Sequence, residues 1–247
     1  MWSRESLKNR AKAVLKISYW NAFFVSIVLA IFGGSDNYFN FNWNSGNQNS
    51  SPSFSFFSKP VTDLFPFLIL ITLGSVIIVL VFAFAFRVFL GYPLEIGGKR
   101  YFVQSAQNNI NMNHLGYGFN NGYYFNIVKT MLYKSVLTFL WTLLLIIPGI
   151  VKSYAYRMVP YILSDNPSME YNRALELSVK MTDGEKLNMW VLDLSFIGWY
   201  LLGRLLFFVG VIFVFPYENA TKAELYLVLR KHALDEGICT YEELKLF

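Results

Sequence analysis

Five charged side chains sit in or against apolar stretches and mark where chemistry can be sought: Lys152, Arg157, Asp193, Glu218 and Lys222. A charge at the depth of a lipid bilayer costs at least about 2.5 kcal/mol on insertion scales, so such residues pair, line a cavity or serve a site. Arg157 lies about 12 Å of helix beyond Gly149, and Asp193 lies about 9 Å into a later apolar stretch entered from the opposite side. The long arginine can snorkel, so the two are placed to meet within a helical bundle. Glu218 and Lys222 stand at i,i+4 in the favourable order, the default signature of a helix-stabilising pair near a water interface. Tyr154, Tyr156, Tyr161 and Tyr217 add hydroxyls nearby. The chemistry open to such a set is charge pairing, or ligand binding in a polar, aromatic cavity. A purely structural pair and an aromatic interface belt explain the same residues.

Catalytic signatures are missing. There is no phosphate-binding glycine loop, no G-x-S-x-G, no H-E-x-x-H and no Cys/His cluster. His114 and His232 are isolated, so no metal is implied, and no cofactor motif is found. The single cysteine, Cys239, excludes an internal disulfide. Asp235-Glu236 and Glu242-Glu243 read as a solvated face of the tail.

The elements that must position the charged residues are apolar helices. The 247 residues are 55% hydrophobic, 19% aromatic and only 15% charged, against about 25% charge in ordinary soluble domains. Residues 64–86 carry no charge and would make about 35 Å of helix, enough for a hydrocarbon core of about 30 Å. Other apolar stretches cover 17–32, 128–147, 150–163, 187–202 and, if the helix runs on through Pro216-Tyr217, 205 to about 229. Residues 2–16 form a basic amphipathic stretch with Leu7, Ala11, Val14 and Leu15 at helical spacing. It reads as the lead into an uncleaved first span, not as a signal peptide.

Between the spans, 33–58 is rich in Asn and aromatic rings and reads as a loop that dips into headgroups. Residues 95–126 are too polar to cross and read as an interfacial helix near 98–107 followed by a Gly/Asn loop. Pro148-Gly149 reads as a helix breaker and a tight turn, with a second turn at Gly203-Arg204. Residues 168–182 read as a surface helix with Pro167 at its first turn, and Tyr171, Ala174, Leu175, Ser178 and Met181 on its less polar face. Thr240-x-x-Glu243 is a capping pattern opening a last short helix.

Cations crowd 1–16, 87–134, 164–186 and 217–247, whereas 33–63 holds only Lys59. The net charge of +5 therefore reports topology and not nucleic-acid binding. The expectation is an all-α, polytopic membrane bundle of about six transmembrane helices with short amphipathic cytosolic helices. It forms one integral membrane domain over 1–247, with 33–63 external and with 95–126, 164–186 and the tail 230–247 cytosolic. Both termini are then cytosolic. The fourth and sixth crossings are short and polar, which suits broken or re-entrant helices lining a protein-buried cavity.

From Trp141 the chain reads LWTLLLIIPGIVKSYAYRMVPYILSDNPSMEYNRALELSVKMTDGEK, then LDLSFIGWYLLGRL and FPYENATKAELY, with RAKAVLKISYWNAF near the start. These motifs, in this order, resemble the bacterial integral membrane protein family known as domain of unknown function 975. The resemblance covers nearly the whole chain outside the Asn-rich loop. It implies a polytopic protein of the bacterial cytoplasmic membrane and no particular activity. A looser similarity links the Pro-Gly turn, the Pro-Tyr helix and the Ala-Leu-x-x-Ser helix to the membrane domain of some glycerophosphodiester phosphodiesterases. No catalytic domain of that kind is present, so none of its active site is carried over.

The reading for function is a non-enzymatic membrane scaffold, or a protein binding membrane partners or a lipid-like ligand in the bilayer. The alternatives are a small transporter or permease with a cavity near the broken fourth and sixth helices, which suits intramembrane charges, and a membrane-embedded enzyme.

Overall fold

A computed structural model describes residues 3–32, 65–120, 122–205 and 209–246, and these form an all-α structure. In chain order come α1 (Arg4–Phe32), α2 (Phe65–Phe86), a π-helical turn (Arg87–Gly91), α3 (Tyr92–Ala106) and a 3₁₀ helix (Met112–Phe119). Next come α4 (Tyr124–Leu144), α5 (Ile146–Ala155), α6 (Val159–Asp165), α7 (Tyr171–Met181), α8 (Lys186–Leu205) and α9 (Val209–Asp235).

Among the described residues two helical stretches are long and apolar enough to cross a membrane, Ile69–Ala106 and Tyr124–Leu144. The other expected crossings fall short of that standard among the described residues. α1 and α9 mix apolar turns with charged ones. α5 has ten residues, about half of what a crossing needs, and is separated from α6 by a break at Tyr156–Met158. The expected external loop 33–63 lies outside the described residues.

One stripe of α1 is buried along most of its length: Leu7, Ala11, Leu15, Ser18, Ala22 and Val25, at spacings of three and four. It packs along α9. The amphipathic N-terminal stretch is thus part of the bundle. At Ser18 the backbone leaves helical geometry, and its hydroxyl donates to the Val14 carbonyl at 3.2 Å. This back-bonding is a known cause of helix bending.

The expected interfacial helix at 98–107 is corrected. α3 continues from α2 through the π turn and lies at the centre, against α1, α6 and α9, with Ile96, Tyr101, Phe102 and Val103 buried. Glycines make that packing possible. A Cβ on Gly97 would lie 1.9 Å from the Leu115 carbonyl oxygen, and one on Gly118 would lie 2.1 Å from that of Pro93. The α3 and 3₁₀ backbones touch directly. The polarity of this stretch signals water, yet the neighbours that cover it are protein.

The hairpin expected at Pro148-Gly149 forms three residues earlier. Leu145 is extended (φ −156°, ψ 135°), and α5 begins at Ile146. Pro148 then sits in the first helical turn, where its missing N–H has no intrahelical acceptor to lose. α5 returns along α4 so closely that a Cβ on Gly149 would stand 2.6 Å from the Thr142 Cα. Two further boundaries move. α7 starts at Tyr171, four residues after Pro167, and Gly203-Arg204 lie within α8. α9 does run through Pro216. Its far half packs with α6, α7 and the tail in the buried core, where Tyr161 stacks on Tyr226 at 5.2 Å. The Thr240 hydroxyl accepts the Glu243 N–H at 3.1 Å as a cap, but the chain beyond it makes only a single turn.

Candidate functional site

The break between α5 and α6 places Tyr154 and Arg157 on the side facing α8. On α8 the buried residues Met189, Leu192 and Phe196 bring Asp193 against the bundle. Arg157 Nη1 lies 2.7 Å from Asp193 Oδ2, and the same oxygen accepts the Tyr154 hydroxyl at 2.8 Å. The guanidinium also lies over the Tyr154 ring, 4.3 Å from its centroid. α9 supplies the next rung. Lys222 Nζ is 2.8 Å from Glu218 Oε1 and 3.9 Å from Asp193 Oδ1. The second contact is electrostatic only, since Oδ1 makes no hydrogen bond. Tyr200 of α8 donates to Glu218 Oε2. The arrangement is a ladder across three elements, carboxylates alternating with cations.

Four of the five residues chosen from the sequence thus meet: Arg157, Asp193, Glu218 and Lys222. Glu218 and Lys222 do more than brace one helix, because both are buried and reach α8. Lys152 is corrected out of the cluster. Its ammonium lies over the Trp141 ring at 5.2 Å and the Tyr156 ring at 5.9 Å, on the α4 side of α5.

Beside the ladder lies a cavity of about 350 Å³. Among the described residues its walls carry Arg87, Lys99, Lys134, Arg157 and Lys222, and a single carboxylate, Glu95. Arg87 holds Glu95 at 3.1 Å and lies over the Tyr92 ring. Lys99 donates to Asn219 Oδ1 at 3.3 Å, and Asn219 reaches Ser26 of α1 at 3.4 Å. Ser135 accepts the Tyr92 hydroxyl at 2.9 Å and keeps its own proton to give. The wall runs along α4 from Met131 to Thr142, about 16 Å of helix. Its rim includes Phe139, which is 66% exposed and belongs to the apolar outer face of α4.

Arg87, Glu95, Lys99 and Lys134 escape a reading of the sequence, because polarity alone puts 95–126, which holds Glu95 and Lys99, outside the bundle. The usable signal is Tyr92, Glu95 and Lys99 recurring at three and four on one helical face. In chemical terms the cavity offers donors and positive charge. Among the described residues no group of His, Cys, Asp or Glu that could hold a metal is assembled.

No curated protein and no solved structure matches this chain. Residues 125–233 match the model of the family described as "Protein of unknown function (DUF975)", which bears out over that stretch the family resemblance carried by the motifs from Trp141 onward.

Proposed function

We propose that this chain is a multi-pass protein of the bacterial cytoplasmic membrane, with both termini cytosolic, that binds a lipid-like ligand and catalyses no reaction. The observation that carries this is the cavity's position. Its lining carries cations among apolar atoms, and it includes Phe139, an exposed residue of an α4 face that is apolar. Ligands that combine a polar head with an apolar body fit such a boundary.

Six crossings remain the topology that suits the chain. α1, α8 and α9 would cross because their polar groups pair inside the bundle, as the Asp193 ladder does. The cation asymmetry orients it. A cysteine at Lys180, an exposed position on α7, should react with an impermeant thiol reagent only after cells are opened. Reaction from outside intact cells would remove this topology.

For binding, the test is mass spectrometry of the detergent-extracted protein under native conditions. A lipid-sized adduct should be retained, and it should be lost when Ser153→Trp fills the cavity. If the wild-type protein retains none after addition of total membrane lipid, the binding reading fails. A transporter is the second reading, favoured by the broken α5/α6 and by Pro216 inside α9 beside the charge ladder. It requires that Lys180 and positions near Thr142 change accessibility reciprocally when ligand is added.

A further inference from the structure

We infer that a row of cations on the first half of α1, Arg4, Lys8, Lys12 and Lys16, is a docking surface for the anionic phospholipid headgroups of the cytosolic leaflet. This goes beyond the cavity, and it rests on the reading above only in that the chain sits in a membrane.

The four cations stand at every fourth position. At about 3.6 residues per turn such a row winds slowly round the helix, and the buried row Leu7, Ala11 and Leu15, one position before it, winds in step. The cations therefore border the packed stripe of α1 along its first half. Two of them rest on rings of neighbouring helices. The Lys8 ammonium is 4.7 Å from the Phe196 centroid on α8, and that of Lys12 is 5.9 Å from the Tyr217 centroid on α9. Lysine stems laid on an apolar wall keep their charged ends toward water or headgroups. Glu224 of α9 also faces α1, but it pairs with Arg10 at 3.5 Å, outside the row. Among the described residues no carboxylate pairs with any member of the row. Partial burial, with Arg4 and Lys12 on either side, holds the Lys8 ammonium below its ordinary value of 10.5. The row repels itself, and an anionic surface relieves that repulsion.

The residues after the row decide between anionic partners. The backbone leaves helical geometry at Ser18. Beyond it the same four-residue step gives Trp20 and Phe24, and both, like Ile17 beside them, are more than half exposed. Nucleic acid or an acidic protein segment would meet the charges and leave these apolar groups wet. A bilayer accepts both kinds of group: phosphates at the cations, the indole at headgroup level where tryptophan gathers, and the phenylalanine below it. A basic segment next to a crossing gains a factor of about five in affinity for an anionic leaflet with each cation near the surface.

The experiment uses the full chain in phosphatidylcholine vesicles. Cys239 is buried, so a fluorophore is attached at Ala13→Cys, an exposed position next to Lys12. A small fraction of phosphatidylglycerol or of phosphatidylcholine, each carrying a nitroxide near the glycerol, is added as quencher. At equal fractions the phosphatidylglycerol should quench at least about threefold more. Arg4→Gln combined with Lys12→Gln and Lys16→Gln, all at exposed positions, should bring the ratio to about one. Lys180→Gln with Lys231→Gln, exposed positions on α7 and on the far half of α9, should leave it unchanged. Salt at about 1 M should erase the preference in the labelled parent, and this decides if the triple variant does not fold. Equal quenching of the parent by the two lipids overturns the anionic assignment. Quenching by neither, in a protein that floats with the vesicles, overturns docking by this face and leaves the membrane reading standing. A chain that does not float with the vesicles removes both.

Discussion

α2 and α3 are consecutive parts of one helical run, and their burial is inverted. From Ile69 onward nearly every residue of the apolar α2 is exposed, whereas in the polar α3 Glu95, Lys99 and Ser105 are buried beside Ile96 and Tyr101. In water this ordering would be unstable. About 25 cal/mol is lost for each Å² of apolar surface left wet, and buried charges lose their hydration. In hydrocarbon the first cost vanishes, and the second favours gathering polar groups where they pair. The contrast is the one expected of a chain in which α2 belongs to a stretch long and apolar enough to cross a membrane. Arg87 stands at the changeover, where the π turn aims it at Glu95.

Glycine substitutions break the comparison most sharply. Gly97 in α3 faces the Leu115 backbone, while Gly74 in α2 has nothing within 4 Å of where a Cβ would be. Gly97→Ala must push α3 and the 3₁₀ helix apart and should cost about 3 kcal/mol. Gly74→Ala should be neutral or stabilise by less than about 1 kcal/mol, since alanine is the better helix former. Thermal unfolding in detergent of the two variants measures this. Equal effects would mean that α3 is not packed as described.

The charge ladder is the next test, on the buried side of the contrast. Asp193→Leu leaves Arg157 and Lys222 facing each other without their shared carboxylate. One partner lost from a buried pair costs about 3–5 kcal/mol, and the partial exposure of Asp193, 23% of its side chain, trims this to about 2 kcal/mol. Arg157→Met with Asp193→Leu should recover part of the loss, because no unmatched arginine remains. Strictly additive losses would show that the two do not interact.

The same inversion governs which of these features a reader of the sequence can see. α7 is legible because it is amphipathic in the ordinary sense: Ala174, Leu175, Ser178 and Met181 are buried, as their spacing requires. The run of α9 through Pro216 is legible because neither half is long enough alone. Arg157 and Asp193 stand out as charges in apolar surroundings. α3 is not legible, because a polar stretch signals water until its neighbours are known, and those neighbours come from α1, α6 and α9. The hairpin is displaced from its expected position because proline is a strong breaker only where its N–H is needed. Lys152 departs from the expected cluster because helical phase at a break cannot be read from spacing. It points to Trp141, while Arg157, beyond Tyr156, points to α8.

The smallest expected effect sharpens the contrast from the watery side. Arg173 of α7 ties down the tail: Nε lies 2.6 Å from Glu243 Oε1, and Nη2 donates to the Ile238 carbonyl at 2.8 Å. Both side chains are about a quarter to a third exposed, so the pair contributes only about 1 kcal/mol. The Arg173 hydrogen bond holds the Glu243 carboxyl below its ordinary value of 4.5. A carboxyl whose folded pKa is depressed stabilises above its unfolded pKa, and that stability is lost as pH falls through the folded value. Glu243→Gln should therefore lower the melting temperature by a few degrees at pH 7, and the gap to the unaltered protein should close below about pH 4. Added salt should shrink it too, since the pair is partly in water. The Asp193 deficit, set among buried partners, should respond little to salt. If both deficits are equally salt-sensitive, the ladder is as wet as the tail, and the division between a hydrocarbon-facing half and a water-facing half does not hold at α8.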